Sequence, residues 1–324
     1  MYTDIPIWLS SLFIIGGLVA LAWSSDRFVV GAAALSRRLG ISGFVVGMVV
    51  VGFGTSAPEL LVSTFSGLSG HTNLSIGNAY GSCVFNIVGI LGVAALIRPL
   101  VVKPAVSFIA VPLLTAITAL SWFLLRDGSL ARGDALTLLS IFAVVMPLYC
   151  KFDKPAEGGD GDAAAPATLA AAIFWTLLGL GVMVGASHIL VWGAVDIARA
   201  LGVGELLIGL TIVAIGTSIP ELASAIAAAR RNEAELVLGN IIGSNLFNTL
   251  AVVGIAGSIS PSSGFSRFVV ARDLPILALA TLSIAAFGLN FRRPCENGVV
   301  VRWQGLCWII AFAAYMALML YQEL

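Results

Sequence analysis

Long apolar runs separated by short polar stretches set the pattern of this chain. Ten runs stand out, at about 7–36, 41–66, 73–97, 104–125 and 134–150, then 168–198, 203–229, 235–258, 273–290 and 303–320. A helix crossing the hydrocarbon of a bilayer takes about 20 apolar residues, whereas a barrel strand takes about 10 that alternate with polar ones. The runs are too long and too continuous for strands, so they predict ten transmembrane helices. The first is long enough to tilt. Ala20-Leu21-Ala22 has the look of a signal-peptidase box, but the residues ahead of it hold Asp4 and no Lys or Arg. Without a basic n-region the stretch reads as an uncleaved first helix.

Between the fifth and sixth runs lies a polar, Gly/Pro/Ala-rich segment, 151–167, with no apolar period. Such composition makes a tether. Its Asp160-Gly161-Asp162 lacks the ligand spacing of an EF-hand loop. The chain therefore divides into a first half, 1–150, a linker, 151–167, and a second half, 168–324.

Composition agrees with the pattern. The 324 residues are 59% hydrophobic and 10% charged, against about 25% charged in an ordinary soluble domain. Seventeen basic and seventeen acidic residues cancel, which excludes a polybasic nucleic-acid binder. Cys83, Cys150, Cys295 and Cys307 have neither a zinc spacing nor a disulfide framework. Lys and Arg set the orientation. The stretches at 37–40, 98–103, 151–167, 230–234 and 291–302 carry eleven of them, and the opposite side carries five. The basic side is predicted to be cytoplasmic, with both termini and the His71 loop outside.

The two halves align without a gap at an offset of 162 residues. Gly54-Thr55-Ser56-Ala57-Pro58-Glu59 meets Gly216-Thr217-Ser218-Ile219-Pro220-Glu221, and Phe85-Asn86 meets Phe247-Asn248. Gly77-Asn78 with Gly81-Ser82 meets Gly239-Asn240 with Gly243-Ser244; Gly31 meets Gly193, and Gly47 meets Gly209. Five spans per half means that the second copy enters the membrane from the opposite face. The fold class expected is an all-α polytopic membrane protein of two inverted five-helix repeats, with the repeated motifs at about 41–97 and 203–258. Transporters built this way bind their substrate near the midplane, between the copies.

Glu59 and Glu221 lie deep in apolar runs that hold no Lys or Arg. An acid at the bilayer centre costs on the order of 2.5–3.5 kcal/mol on insertion scales, and its presence twice points to a cation from solution as its partner. Pro58 and Pro220 break the helix just before each Glu and free the carbonyls of Gly54 and Gly216. Thr55 and Ser56, and likewise Thr217 and Ser218, fall on the Glu face. Asn78, Ser82 and Asn86 form a polar stripe at four-residue spacing, repeated by Asn240, Ser244 and Asn248; hydrogen bonding between helices serves equally well for Asn78 and Asn240. The G-x-x-x-G pairs Gly77/Gly81 and Gly239/Gly243 suit close helix approach. Carboxylates, hydroxyls and carbonyls are hard oxygen donors, suited to Ca2+ or Na+ and not to a transition metal. His188 occupies the repeat position of Asp26, where a structural hydrogen bond is expected more than a proton relay.

These motifs, G-T-S-A-P-E with G-N-A-Y-G-S-C-V-F-N and G-T-S-I-P-E with G-N-I-I-G-S-N-L-F-N, resemble the two alpha-repeats of the sodium/calcium exchanger family, within the calcium/cation antiporters. The resemblance covers nearly the whole chain. It implies ten helices, a cation site at the membrane centre, and alternating access in which the long first and sixth helices slide past a fixed core. Carried over by position, it makes Glu59 and Glu221 the central ligands of Ca2+ and Na+. Thr55 and Thr217 supply backbone carbonyls, Ser56 and Ser218 hydroxyls, and Ser82 and Ser244 outer Na+ ligands. A further carbonyl comes from Ala214 in the second repeat and from Gly52 in the first. Asn248 departs from several members, which carry Asp there opposite an Asn at the Asn86 position. The site then holds two formal negative charges instead of three, which bears on stoichiometry and on K+. The large cytoplasmic regulatory domains of animal exchangers have no counterpart here.

The expected function is exchange of Ca2+ for Na+ across a prokaryotic plasma membrane, with transported ions, lipid and no cofactor, nucleic acid or obligate protein partner. Coupling of Ca2+ to H+ on the same fold, a cation channel, and a purely structural membrane protein remain as alternatives. No Ser-His-Asp or Cys-His arrangement supports an enzyme.

Overall fold

The computed structural model describes residues 6–70, 72–152, 168–202 and 214–323. His71, Gly209, most of the 151–167 linker and the opening of the 203–229 run lie outside the described residues. In chain order the helices are α1 (Ile7–Leu39), α2 (Gly43–Thr55), α3 (Ala57–Leu68), α4 (Thr72–Ile97), α5 (Val106–Leu124), α6 (Arg132–Phe152) and α7 (Leu169–Ala200). They continue as α8 (Ala214–Thr217), α9 (Ile219–Arg230), α10 (Ala234–Ile259), α11 (Val269–Gly288) and α12 (Arg302–Glu323). Among the described residues eight helices are individually long and apolar enough to cross a bilayer, and α2 with α3, bent by 45°, makes a ninth. The remaining predicted span contains α8 and α9.

Apolar periodicity places these helices, and proline shapes them. Pro58 sits at the start of α3 and Pro220 at the start of α9, and Ser56 and Ser218 take the non-helical backbone ahead of each. Wider π turns precede Pro112 in α5 and Pro275 in α11, where the missing N–H interrupts the regular ladder. Two further π turns, Phe85–Leu91 in α4 and Phe247–Val252 in α10, have no proline and lie at matching positions of the two halves.

α10 forms the centre: its apolar window is 100% buried, against 17% for α12 at the periphery. α2 crosses α10 closely because Gly239 and Gly243 present bare backbone to it. A Cβ at Gly239 would overlap Phe44 O, and one at Gly243 would overlap Met48 O. At the corresponding glycines of α4, Gly77 and Gly81, no atom of the described residues beyond the helix's own backbone lies within 4 Å of an added Cβ. The long α1 and α7 pack along each other through four glycines. A Cβ would sit 2.9 Å from Leu190 Cβ at Gly17, 2.6 Å from Thr176 N at Gly31, 2.7 Å from Phe28 N at Gly179 and 2.7 Å from Ser10 O at Gly193. Gly17 and Gly179 are repeat mates, as are Gly31 and Gly193.

The loops gather at two ends. At one, β1 (Leu100–Val102) pairs antiparallel with β2 (Gly298–Val300), two short strands that the apolar pattern does not predict. Ion pairs Arg37–Glu233, at 3.1 Å, and Lys103–Glu235 join the same end, as does the 3.5 Å bond from Arg302 Nη2 to Ile97 O. At the other end Leu130 bridges to Ser262, Thr72 Oγ1 donates to Ser260 O at 2.6 Å, and Arg272 Nη1 to Gln322 Oε1 at 2.9 Å. The sorting matches the basic and less basic sides of the sequence. Outward-facing Trp8, Leu61, Phe65, Leu74 and Tyr321 are each more than half exposed, as side chains against lipid tails and headgroups are.

Candidate cation site

The two broken spans cross so that each half completes the other's acid. Ser56 Oγ, at the break between α2 and α3, donates to Glu221 Oε1 at 3.0 Å. Ser218 Oγ, at the break between α8 and α9, donates to Glu59 Oε1 at 3.0 Å and lies 3.1 Å from Ser82 Oγ of α4. Glu59, Glu221 and Ser218 are fully buried, Ser56 and Ser82 nearly so. Proline explains the placement: Pro58 and Pro220 cannot continue the preceding helix, so the Ser two residues earlier leaves it and swings its hydroxyl across.

Each acid uses one oxygen this way. The second oxygens, Glu59 Oε2 and Glu221 Oε2, are buried and have no hydrogen-bond partner among the described residues. Asn86 Oδ1 and both amide atoms of Asn248 are in the same condition. Uncompensated charge and unpaired polar atoms in a dry interior are costly. Ser63 Oγ and Asn78 Nδ2 are orphaned as well; all these atoms but the Asn78 and Asn248 amide nitrogens are oxygens, and a hard cation among them would supply what the protein does not.

The flanking polar groups close on one another. Thr55 Oγ1 donates to Val51 O at 3.0 Å and lies 3.2 Å from Asn240 Oδ1, while Asn240 Nδ2 donates to Ser224 Oγ at 2.9 Å. Thr217 Oγ1 lies 3.4 Å from Asn78 Oδ1. Asn78 and Asn240 therefore hold the Thr of the opposite half. Ser244 Oγ donates to Gly52 O at 3.4 Å, and Ala214 opens α8. Gly52 is small for a reason: a Cβ there would lie 3.0 Å from Ser244 N. The freed carbonyl of Gly216 is taken by Ser187 Oγ of α7 at 3.1 Å. His188 is exposed, and among the described residues no hydrogen bond to it is found, unlike the structural bond its position suggested.

Asn245, Ser187 and Ser224 join this network although they are not singled out in the sequence reading. Their mates at the 162 offset are Cys83, Ser25 and Val62. Only Ser187 has a matching residue type there, and Ser25 bonds within its own helix, to Ala22 O at 3.3 Å.

Comparison with known proteins gives a consistent picture. The family profile described as "Sodium/calcium exchanger protein" matches residues 9–149 and 171–321. The chain is 36% identical to the putative antiporter CaxA of Alkalimonas amylolytica over 318 residues, covering 96% of this chain and 98% of that protein. It is 27% identical to the sodium/calcium exchanger MaX1 of Methanosarcina acetivorans, covering 97% and 99%. Among solved structures it superposes on the sodium-calcium exchanger NCX_Mj, soaked with 10 mM Na+ and 10 mM Sr2+, with a TM-score of 0.83. That match has 28% identity and covers 96% of this chain and 99% of the other.

Proposed function

This chain belongs to the sodium/calcium exchanger family and is a multi-pass membrane cation antiporter, and from that premise we propose that it exchanges Ca2+ for Na+. The observation that carries the proposal is the crossed pair of Ser–Glu hydrogen bonds with one unpartnered oxygen left on each Glu. Two inverted repeats, 1–150 and 168–324, joined by the linker 151–167, account for that reciprocity. What residue 59 receives from one half, residue 221 receives from the other.

Glu59 and Glu221 are the central ligands. Ser56 and Ser218 hydroxyls and the carbonyls of Thr55 and Thr217 stand around them. Ser82 and Ser244, with the carbonyls of Gly52 and Ala214, serve Na+ on either flank, and Asn86 and Asn248 complete the middle. Ca2+ takes 6–8 oxygens, so two carboxylates and neutral oxygens suit one Ca2+, or Na+ ions sharing the same atoms. Shared atoms make the two ions compete, and competition at one site exposed alternately to either side is exchange. The basic end, with β1, β2 and the Arg37–Glu233 pair, faces the cytoplasm by the positive-inside rule.

The test is Ca2+ uptake into proteoliposomes driven by a Na+ gradient. Uptake is expected in the wild type and lost in Glu59→Gln and in Glu221→Gln. Flux that ignores Na+ and collapses a pH gradient would instead assign Ca2+/H+ exchange. Flux that neither saturates nor depends on a gradient of the second ion would assign a channel.

A further inference from the structure

We propose that Asn245 is a positioning residue of the cation site: it fixes the Asn86 amide so that oxygen, not nitrogen, is left for the ion. Amide orientation here follows from what can donate and what can accept. Cys83 O is a backbone carbonyl and only accepts, so the Asn245 atom facing it at 3.4 Å is Nδ2. Asn245 Oδ1 therefore faces Asn86, 3.1 Å away, and it too only accepts. The Asn86 atom at that contact must be its Nδ2. Reversing either amide would set two acceptors, or two donors, against each other in a fully buried place. The end of Asn86 left over is Oδ1, which is buried and unpartnered.

The sequence of the repeat shows why only one of the two amides is held. Cys83 and Asn245 are repeat mates at the 162 offset, and they face each other: Cys83 Sγ lies 3.8 Å from Asn245 O as Asn245 Nδ2 reaches Cys83 O. Mate positions that meet in this way lie on the pseudo-twofold axis of an inverted repeat. A holder for Asn248, the mate of Asn86, would have to come from residue 83. A thiol is a weak donor and a weak acceptor, and Asn248 has no hydrogen bond to either amide atom among the described residues. Asn86 thus has an amide partner that Asn248 lacks among the described residues, an asymmetry that the matching stripes Asn78-Ser82-Asn86 and Asn240-Ser244-Asn248 conceal.

The inference rests on the reading of Asn86 as a residue of the Ca2+ and Na+ site, and the test separates the two. Asn245→Leu, of similar volume, releases the Asn86 amide. In purified protein the Ca2+ concentration that half-protects against melting, and the half-saturating Ca2+ of transport, are each expected to rise about tenfold, the usual cost of losing the partner of a ligand. In Asn86→Asp both ends are oxygen and orientation ceases to matter, so adding Asn245→Leu to it is expected to change either value by less than about twofold. Asn245→Cys, the residue its repeat mate carries, gives the same comparison should the leucine variant not fold. Wild-type affinity in Asn245→Leu, or an undiminished penalty in the Asn86→Asp background, overturns the inference. A wild type protected by Ca2+ or Na+ but without Na+-driven Ca2+ flux would sink the exchange reading alone; the Asn245 effect is then read on the protecting cation. Protein that neither ion protects overturns both.

Discussion

At the scale of single residues, the proposed cation site is made of groups whose hydrogen-bonding capacity is half used. Glu59 and Glu221 each give one oxygen to a serine of the other half and keep one unpartnered. Asn248 keeps both amide atoms. Affinity for Ca2+ rises with the charge count of its ligands, so Asn248→Asp, a third carboxylate at the centre, is expected to lower the half-saturating Ca2+ of transport by about tenfold. An unchanged value would place residue 248 beyond the reach of the ion. Glu59, Glu221, Ser56 and Ser218 were legible in the sequence because an acid in an apolar run is costly and here recurs with its neighbours. Asn245 was not legible: its repeat mate is Cys83, so a search for matched residues passes over the position where the two halves differ.

At the scale of elements, two kinds of crossing build the molecule. The α2–α10 crossing brings Gly52 against Ser244 N and so sets one flank of the site. The α1–α7 crossing is a seam of four glycines in two repeat pairs, with backbone against backbone. Overpacking such a seam costs about 1–3 kcal/mol. Gly179→Val, whose side chain would press on Phe28, is expected to lower the melting temperature by a few degrees and to abolish Na+-driven Ca2+ uptake with protein still in the membrane. Normal uptake by that variant would show that α1 and α7 need not stay in close register during transport. Helix extents followed from the apolar runs, and the breaks at Ser56 and Ser218 from proline. The π turns at Phe85–Leu91 and at their mates Phe247–Val252 carry no such mark, since one widened turn leaves the apolar pattern almost unchanged.

At the scale of the whole molecule, the halves are not equivalent in this structure. Thr55 is 0% and Asn240 1% exposed, whereas their mates Thr217 and Asn78 are partly exposed. Ser187 of α7 binds the freed carbonyl of Gly216, while its mate Ser25 in α1 does not reach Gly54. Among the described residues, the ion pairs from α1 to the rest of the fold are Asp26–Arg231 at 2.5 Å and Arg37–Glu233 at 3.1 Å, both in its C-terminal half. The orientation has its own test. Cys295, exposed in the stretch between α11 and β2, is expected to react with a membrane-impermeant thiol reagent from the cytoplasmic side only. In everted vesicles that labelling should appear and should vanish in Cys295→Ser; labelling of intact cells at Cys295 would reverse the assigned topology.

The sequence by itself determined the helices, the duplication and the pair of buried acids, because each is a local or periodic property: apolar length, a fixed offset, a charge where solvation is poor. Tertiary structure decided which atoms of those residues are used and which are left. Ser56 serves Glu221 and not Glu59, and Asn86 turns its nitrogen to Asn245, because hydrogen bonds saturate and point in one direction, and their partners come from 159 or more residues away. It also decided that two halves of one design differ in detail, since matched residues such as Thr55 and Thr217 are packed among different neighbours.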